Sequence, residues 1–343
     1  MSRCVVVEAP GRHRIEAYQP AAPQAGEARV RVVAAGMCGS DRELYAGTRP
    51  AAFVRYPVVP GHEWSGLVDA VGDGVSGDLV GAAVVGEGIR ACLTCRSCRA
   101  GATNPCESGY DETGFTLPGA FADHLVVPAR LLHRLAPGAD VRAAALLEPA
   151  ACVAAAVGQA ELVPGQRAAV VGAGTLGMLA LQLLAARSPA ELLAVDPRPE
   201  REELARRMGA TDFRTPDQLA AGSGAGAGAR ELDAVVEAAG SAGSGRLAAE
   251  LARRGGRVVL TGIPGSDVAA TLPVALLVTR QLTVSSTFGA PSSGWTAAVQ
   301  AFDAGVLDPA PLVTHELPLE DYGDALALLA EARPDVGKIL LRP

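Results

Sequence analysis

The amino-acid sequence predicts an α/β protein in which a mostly β domain is followed by a doubly wound, parallel-sheet domain. Three observations carry that prediction. The chain has 343 residues, and at roughly 100 to 200 residues per domain that suits about two domains with sizeable cores. Short β-like runs split by turn residues fill the part before Ala143. Beyond it, Val-rich runs alternate with long Ala/Leu segments, the pattern of βαβ units and of a sheet covered on both faces.

In order along the chain, the β-like runs of the first part are residues 4–8, 28–34, 64–71, 82–85 and 121–127, split from one another by turn residues. The apolar runs of the second part are 167–171, 192–195, 234–236 and 257–261. A low-complexity stretch, AAGSGAGAGA at 220–229, falls between two of them and is expected as a surface loop. After Leu282 come a β-like TVSSTFG, an amphipathic helix at 294–304 and a closing strand at 338–341, which is expected to pack back on the first domain. The domains are therefore expected at 1–152, completed by 290–343, and at 153–289.

Composition narrows the function. Hydrophobic residues make up 49% and charged ones 20%, so the chain is neither disordered nor short of core, and 40 Gly with 24 Pro point to many tight turns. A formal charge of −7 argues against a nucleic-acid backbone or an anionic membrane as partner and leaves small molecules. The opening MSRCVVVEAPGRHR lacks the apolar run of a signal peptide. The apolar stretch at 143–157 is interrupted by Glu148, well short of the ~20 residues a bilayer span needs. A soluble cytoplasmic chain is expected.

The seven cysteines are too few for a secreted disulfide scaffold and odd in number. Cys92, Cys95 and Cys98 follow C-x2-C-x2-C spacing, with Cys106 shortly after. Four thiolates in one short loop can wrap a tetrahedral ion, and their softness favours zinc or an iron–sulfur centre. The long last step and the absence of a proline after Cys106 suit zinc better. With every position filled by protein, that ion is structural.

A second set is dispersed: Cys38 in GMCGSD, His62 and Glu63 in PGHEW, and Glu148 in LLEPA. One thiolate, one imidazole and one or two carboxylates make a zinc set with room for water or substrate, as a catalytic site needs. Taken singly, Cys38 reads more readily as a small buried residue, His62 as a turn histidine and Glu148 as a helix N-terminal carboxylate. Glu148 stands apart because a carboxylate within an apolar run needs a partner.

The run at 167–171 leads into Gly172, Ala173, Gly174, Thr175, Leu176 and Gly177 and then an Ala/Leu helix. G-x-G-x-x-G between strand and helix is a dinucleotide-binding turn, in which glycine permits the bend and close backbone approach while the helix N-terminus faces a pyrophosphate. The next strand ends at Asp196, where a carboxylate can bond both ribose hydroxyls and repel a 2′-phosphate. NAD is expected over NADP, although Arg198 and Arg201 are able to meet a phosphate. Gly262 and Ile263, at the end of a later strand, are expected to offer backbone contacts to the nicotinamide.

In order and spacing these motifs resemble the medium-chain zinc-dependent alcohol/polyol dehydrogenase family over essentially the whole chain. The resemblance implies a GroES-like mostly-β catalytic domain, a Rossmann dinucleotide-binding domain, two zinc ions per chain and NAD. It implies that Cys38, His62 and Glu148 hold the catalytic zinc, with Glu63 a direct or exchanging ligand. Asp41 matches the carboxylate that orients the ligand histidine, and Ser40 the hydroxyl that relays the substrate proton. Alcohol dehydrogenases carry a histidine three residues beyond that serine; here Glu43 stands there, so either Glu43 or water completes the relay. A basic residue at the place of Lys338 implies a contact with Glu63 or with the cofactor pyrophosphate.

Within the family, YPVVPGHEWSG, the DETGF loop at 111–115 and LEDYGDAL are most similar to the 2-deoxy-scyllo-inosamine dehydrogenases of aminocyclitol antibiotic pathways. Threonine, butanediol and sugar dehydrogenases share the framework. The implied reaction is reversible hydride transfer between a secondary alcohol (cyclitol, aminocyclitol, polyol or sugar) and NAD, giving a ketone. Arg49, Arg55, Tyr56, Phe115 and Phe288 are candidate pocket positions. Two rivals remain: a zinc-free reductase, which would not need the ligand residues, and a cofactor-binding protein without turnover, which would hold one metal. The β-rich 282–289 is placed to pair with its copy across a two-fold axis, implying a homodimer or homotetramer.

Overall fold

A computed structural model describes residues 1–221, 231–265, 270–331, 333 and 335–343. From residue 222 on, the low-complexity stretch lies outside the described residues. The chain divides into two compact units, Met1–Ala151 with Gly289–Asp303 and Asp308–Pro343, and Cys152–Phe288 with Ala304–Leu307.

The first unit is built on a seven-stranded, mostly antiparallel sheet. Its path runs Val313–Pro318, Lys338–Arg342, Glu27–Gly36, Glu63–Val71, Ala83–Gly86 and Leu132–Arg134, and His124–Pro128 also pairs with Glu27–Gly36. Period-two patterning places Glu27–Gly36 at the centre: Ala28, Val30, Val32 and Ala34 are buried while Arg31 is exposed. A hairpin of Ser2–Ala9 and Arg12–Tyr18 stands apart from this sheet. Register decides what meets at one end. Gly36 is opposite Glu63 on one side and Leu340 on the other, and Met37 N–H bonds to the Ile339 carbonyl at 2.9 Å. Three strand ends are thus drawn together: the one leading to Cys38, the one starting at Glu63 and the one starting at Lys338.

Every strand pairing in the second unit is parallel, in the order Asp212–Arg214, Glu191–Val195, Arg167–Val171, Leu232–Glu237, Ala252–Leu260, Thr283–Ser286. In chain order this is the doubly wound Rossmann arrangement, with the order reversing between Arg167–Val171 and Leu232–Glu237. Residues 168–171 and 192–195 are all buried, which is why they read as unbroken apolar runs.

Differences from the sequence reading are mostly polar or short strands. Arg12–Tyr18 buries no residue fully, so no alternation betrays it, and Asp212–Arg214 has only three residues. The strand expected at 257–261 is Ala252–Leu260, extended backwards across a bulge that its partner Leu232–Glu237 tolerates. Among the described residues, Ala143–Ala160 is the one helical stretch long and apolar enough to cross a membrane, and 67% of it is buried inside the protein, as in a core helix.

Candidate active site

The site of the first unit forms where those strand ends meet. Cys38 caps the helix Gly39–Ala46, and Asp41 in its first turn accepts the Cys38 N–H at 2.8 Å. A short acidic side chain at that position satisfies an orphan donor. Asp41 Oδ1 faces His62 Nδ1 at 3.6 Å, and His62 Nε2 lies 4.0 Å from Glu63 Oε1. Asp41, His62 and Glu63 are all buried. Gly36 makes this possible, because a Cβ there would sit 2.3 Å from Glu63 Oε2.

Cys38, His62 and Glu63 each present a ligand atom, all within 4.8 Å of one another. Glu148 is not in that group. It opens the helix Leu147–Ala160, only partly buried, and its charge is felt by Lys338 and Glu112. The geometry thus favours Glu63 as the carboxylate beside Cys38 and His62, where the family resemblance puts Glu148 first. His62 Nδ1 and Asp41 Oδ1 are enclosed facing only each other, and Glu63 Oε2 is enclosed without a hydrogen-bond partner, a costly burial of polar atoms. Burial pulls the His62 pKa down, yet Asp41 and Cys38 outweigh it and hold it well above the ordinary value. Thiolate, imidazole and carboxylate are zinc donors, and the residues fit the metal.

Lys338 donates to Glu63 Oε1 at 2.5 Å, with both side chains enclosed. Burial lowers its pKa, but Glu63 and Cys38 raise it further, so the ion pair persists. Of the two contacts expected for Lys338, the structure has the one to Glu63. Ser40 and Glu43 lie on the same helix as Asp41, both partly buried.

The sequence reading overlooked Gly36 and Glu112 as site residues. Glu112 belongs to the DETGF loop, whose Gly114 packs so closely that a Cβ would lie 2.9 Å from His62 N. The Phe115 ring lies 4.7 Å from the His62 ring, with the Arg49 guanidinium 3.7 Å above it. Arg49 and Phe115 are expected pocket positions, whereas a lone acidic loop residue such as Glu112 has no local pattern to mark it.

Elsewhere in this unit, Cys92, Cys95, Cys98 and Cys106 bring their sulfurs within 4.8 Å. The loop turns sharply at Leu93, whose φ is 61°. Backbone N–H groups of Thr94, Cys95, Cys98 and Cys92 point at sulfur over 3.3–3.4 Å. Hydrogen bonds from Ser108 and Thr94 draw the Cys92 thiol down to about 5, whereas burial pushes Cys98 up to about 12. A loop that already directs donors at thiolates suits a soft tetrahedral cation.

In the second unit the three glycines of the turn have three roles. Gly172 adopts φ 102°, and a Cβ there would meet Ala239 N at 2.7 Å; one at Gly177 would meet the Gly172 carbonyl at 1.7 Å. A Cβ on Gly174 would meet nothing within 4 Å, leaving open space at the N-cap of the helix Thr175–Ala185, where a pyrophosphate would approach. The residues fit a dinucleotide. Asp196 is buried, accepting Ala173 N–H at 2.7 Å and Arg198 side-chain N–H groups at 2.8 and 2.9 Å. Burial raises its pKa, but these donors outweigh it and lower the value. Burial and the neighbouring Arg198 depress the pKa of Arg201. Gly262 N–H bonds to the Glu237 carbonyl, and Ile263 is 67% exposed. The sequence reading passed over Glu237, whose buried carboxylate accepts Ala239 and Gly240 N–H at 2.8 Å each and so shapes the loop beside Gly172.

Comparison with known proteins agrees with this fold. Residues 24–138 match the alcohol dehydrogenase GroES-like domain, and residues 175–304 match the zinc-binding dehydrogenase family. The chain is 33% identical over 307 residues to a 2-dehydro-3-deoxy-L-galactonate 5-dehydrogenase of Pseudoalteromonas atlantica, covering 89% of each chain. It is 31% identical to an erythritol/L-threitol dehydrogenase of Mycolicibacterium smegmatis, covering 99% of this chain and 97% of that one. Two solved structures, each 26% identical and covered over 100% of this chain and 99% of theirs, superpose with TM-scores of 0.92 and 0.91. The first is a zinc-binding dehydrogenase from Sinorhizobium meliloti bound to NADP, and the second an alcohol dehydrogenase from Escherichia coli complexed with NADH.

Proposed function

The chain belongs to the medium-chain zinc-dependent alcohol/polyol dehydrogenase family, and we propose that it oxidises the secondary alcohol of a cyclitol, aminocyclitol, polyol or sugar to a ketone with NAD. The observation that carries this reading is the convergence of Cys38, His62 and Glu63 within 4.8 Å, backed by Asp41 and Lys338.

Cys38, His62 and Glu63 would hold a catalytic zinc, and Cys92, Cys95, Cys98 and Cys106 a structural one. When bound, the catalytic ion acidifies the substrate hydroxyl and NAD takes up the hydride. The protein's own residues do the rest. Asp41 places its negative charge 3.6 Å from His62 Nδ1 and so favours a proton on that side of the ring. Lys338 donates to Glu63 Oε1 and holds that carboxylate in place beside His62. The Ser40 hydroxyl takes the substrate proton, and Glu43, on the same face three residues along, receives it at its carboxylate.

In the second unit, Gly172, Gly174, Thr175, Leu176 and Gly177 would cradle the pyrophosphate, with Arg201 nearby. Asp196 favours unphosphorylated ribose and hence NAD, while Gly262 and Ile263 offer backbone groups to the nicotinamide. The exposed Thr283–Ser286 strand, at the edge of the sheet, would pair with its copy in a homodimer or homotetramer.

A threonine- or butanediol-type specificity uses the same machinery. Metal analysis decides the chemistry: about two zinc ions per chain are expected, and a single one refutes the catalytic site. A panel of cyclitols, aminocyclitols, polyols, sugars, butanediol and threonine, followed by NADH and NADPH absorbance, decides substrate and cofactor.

A further inference from the structure

One buried cluster of the first unit has no part in the chemistry above. Arg49 and Glu112 have side chains only 9% exposed. Arg49 is held from three sides: its Nε donates to the Phe53 carbonyl at 2.9 Å, a terminal nitrogen donates to the Tyr110 hydroxyl at 2.9 Å, and its guanidinium carbon lies 3.7 Å above the Phe115 ring. A guanidinium has five N–H groups, and only these two find hydrogen-bond acceptors among the described residues. The Glu112 carboxylate stands 3.6 Å from Arg49, near enough to balance its charge and too far for a hydrogen bond.

Glu112 is under-used in the same way. Its carboxylate accepts no hydrogen bond from a described residue, yet its oxygens are not sealed as Asp41 Oδ1 and Glu63 Oε2 are. Burial pushes its pKa up to about 7, as befits a carboxyl stripped of water and lacking a close donor. The pair is rigid, charge-balanced and short of partners, and it reaches His62 through the shared Phe115 ring.

These properties define a ligand chemistry. A substrate carboxylate would be drawn to Arg49 and repelled by Glu112, and an ammonium group would meet the reverse. A hydroxyl can accept from Arg49 and donate to Glu112 without adding charge. We propose that Arg49 and Glu112 together bind a second hydroxyl of the substrate, selecting neutral polyhydroxylated alcohols over monoalcohols and acidic sugars. This rests on the secondary-alcohol oxidation proposed above.

The test compares the best neutral polyol of the panel with the monoalcohol of the same carbon skeleton, cyclohexanol for a cyclitol or 2-butanol for a tetritol, and with gluconate. In Glu112→Gln the polyol-to-monoalcohol ratio of kcat/KM is expected to fall about tenfold to a hundredfold, the worth of one hydrogen bond to a charged group. Gluconate should gain relative to the polyol, because Arg49 is then uncovered. Equal loss on polyol and monoalcohol, or loss of zinc, makes Glu112 structural and overturns the proposal. Arg49→Lys, which keeps the charge but not the planar fork, should lower the same ratio, and it carries the test if Glu112→Gln does not fold. A wild-type enzyme that oxidises monoalcohol and polyol equally overturns the inference alone; one that oxidises no alcohol overturns the proposed function with it.

Discussion

The two candidate metal centres of the first unit differ in how their ligands are brought together. Cys92, Cys95, Cys98 and Cys106 lie in one loop, closed by local turns and by N–H groups of the loop itself directed at sulfur. Cys38, His62 and Glu63 come from a helix cap, a loop and a strand start, and the Lys338–Glu63 ion pair spans 275 residues of chain. A local site organises the loop around it, whereas a distributed site inherits its geometry from a sheet that exists without it. Removing a ligand should therefore damage folding at the first and chemistry at the second.

The largest expected effects test that contrast directly. Cys38→Ser should take turnover below detection while leaving thermal unfolding close to that of the parent. Cys95→Ser should lower the unfolding midpoint by on the order of 10 °C, since each lost kcal/mol shifts a protein of this size by roughly 2–4 °C and a structural zinc is worth several. Calorimetry with metal analysis reads both; matching losses of stability in the two variants would break the distinction.

A similar loss of stability, with a narrower effect on function, is expected at Lys338. Lys338→Ala leaves Glu63 buried without its cation, a loss of roughly 3–5 kcal/mol for a broken buried pair. Zinc retention at the distributed site should fall while NAD affinity by isothermal titration stays unchanged. A selective loss of NAD affinity would return Lys338 to the cofactor. The smallest effect is Gly36→Ala, where a methyl 2.3 Å from Glu63 Oε2 forces the carboxylate aside at about 1–3 kcal/mol. That should weaken zinc binding at the distributed site and leave the four-cysteine site at full occupancy.

Legibility in the sequence followed the same division. The cysteine loop and the glycine turn could be read because each lies within a short window whose spacing is itself the geometry. The strand Arg167–Val171 was read to the residue, since burial on both faces leaves a plain apolar run. Arg12–Tyr18 was not, because a strand without a buried face has no pattern. His62 and Cys38 were nameable as candidates only through their motifs, and nothing in GMCGSD or PGHEW states that the two approach each other.

The two kinds of sheet, the four-cysteine loop and the glycine turn are legible in the residues alone, because local spacing and periodicity encode them. Long-range packing is what brings Glu63 beside Cys38 and His62, Lys338 to Glu63, and Arg49 over Phe115 beside Glu112. The contacts of Glu63 depend on which residue faces which across Gly36, Glu63 and Leu340. Strand register is set by the burial of a whole face, and no single motif carries it.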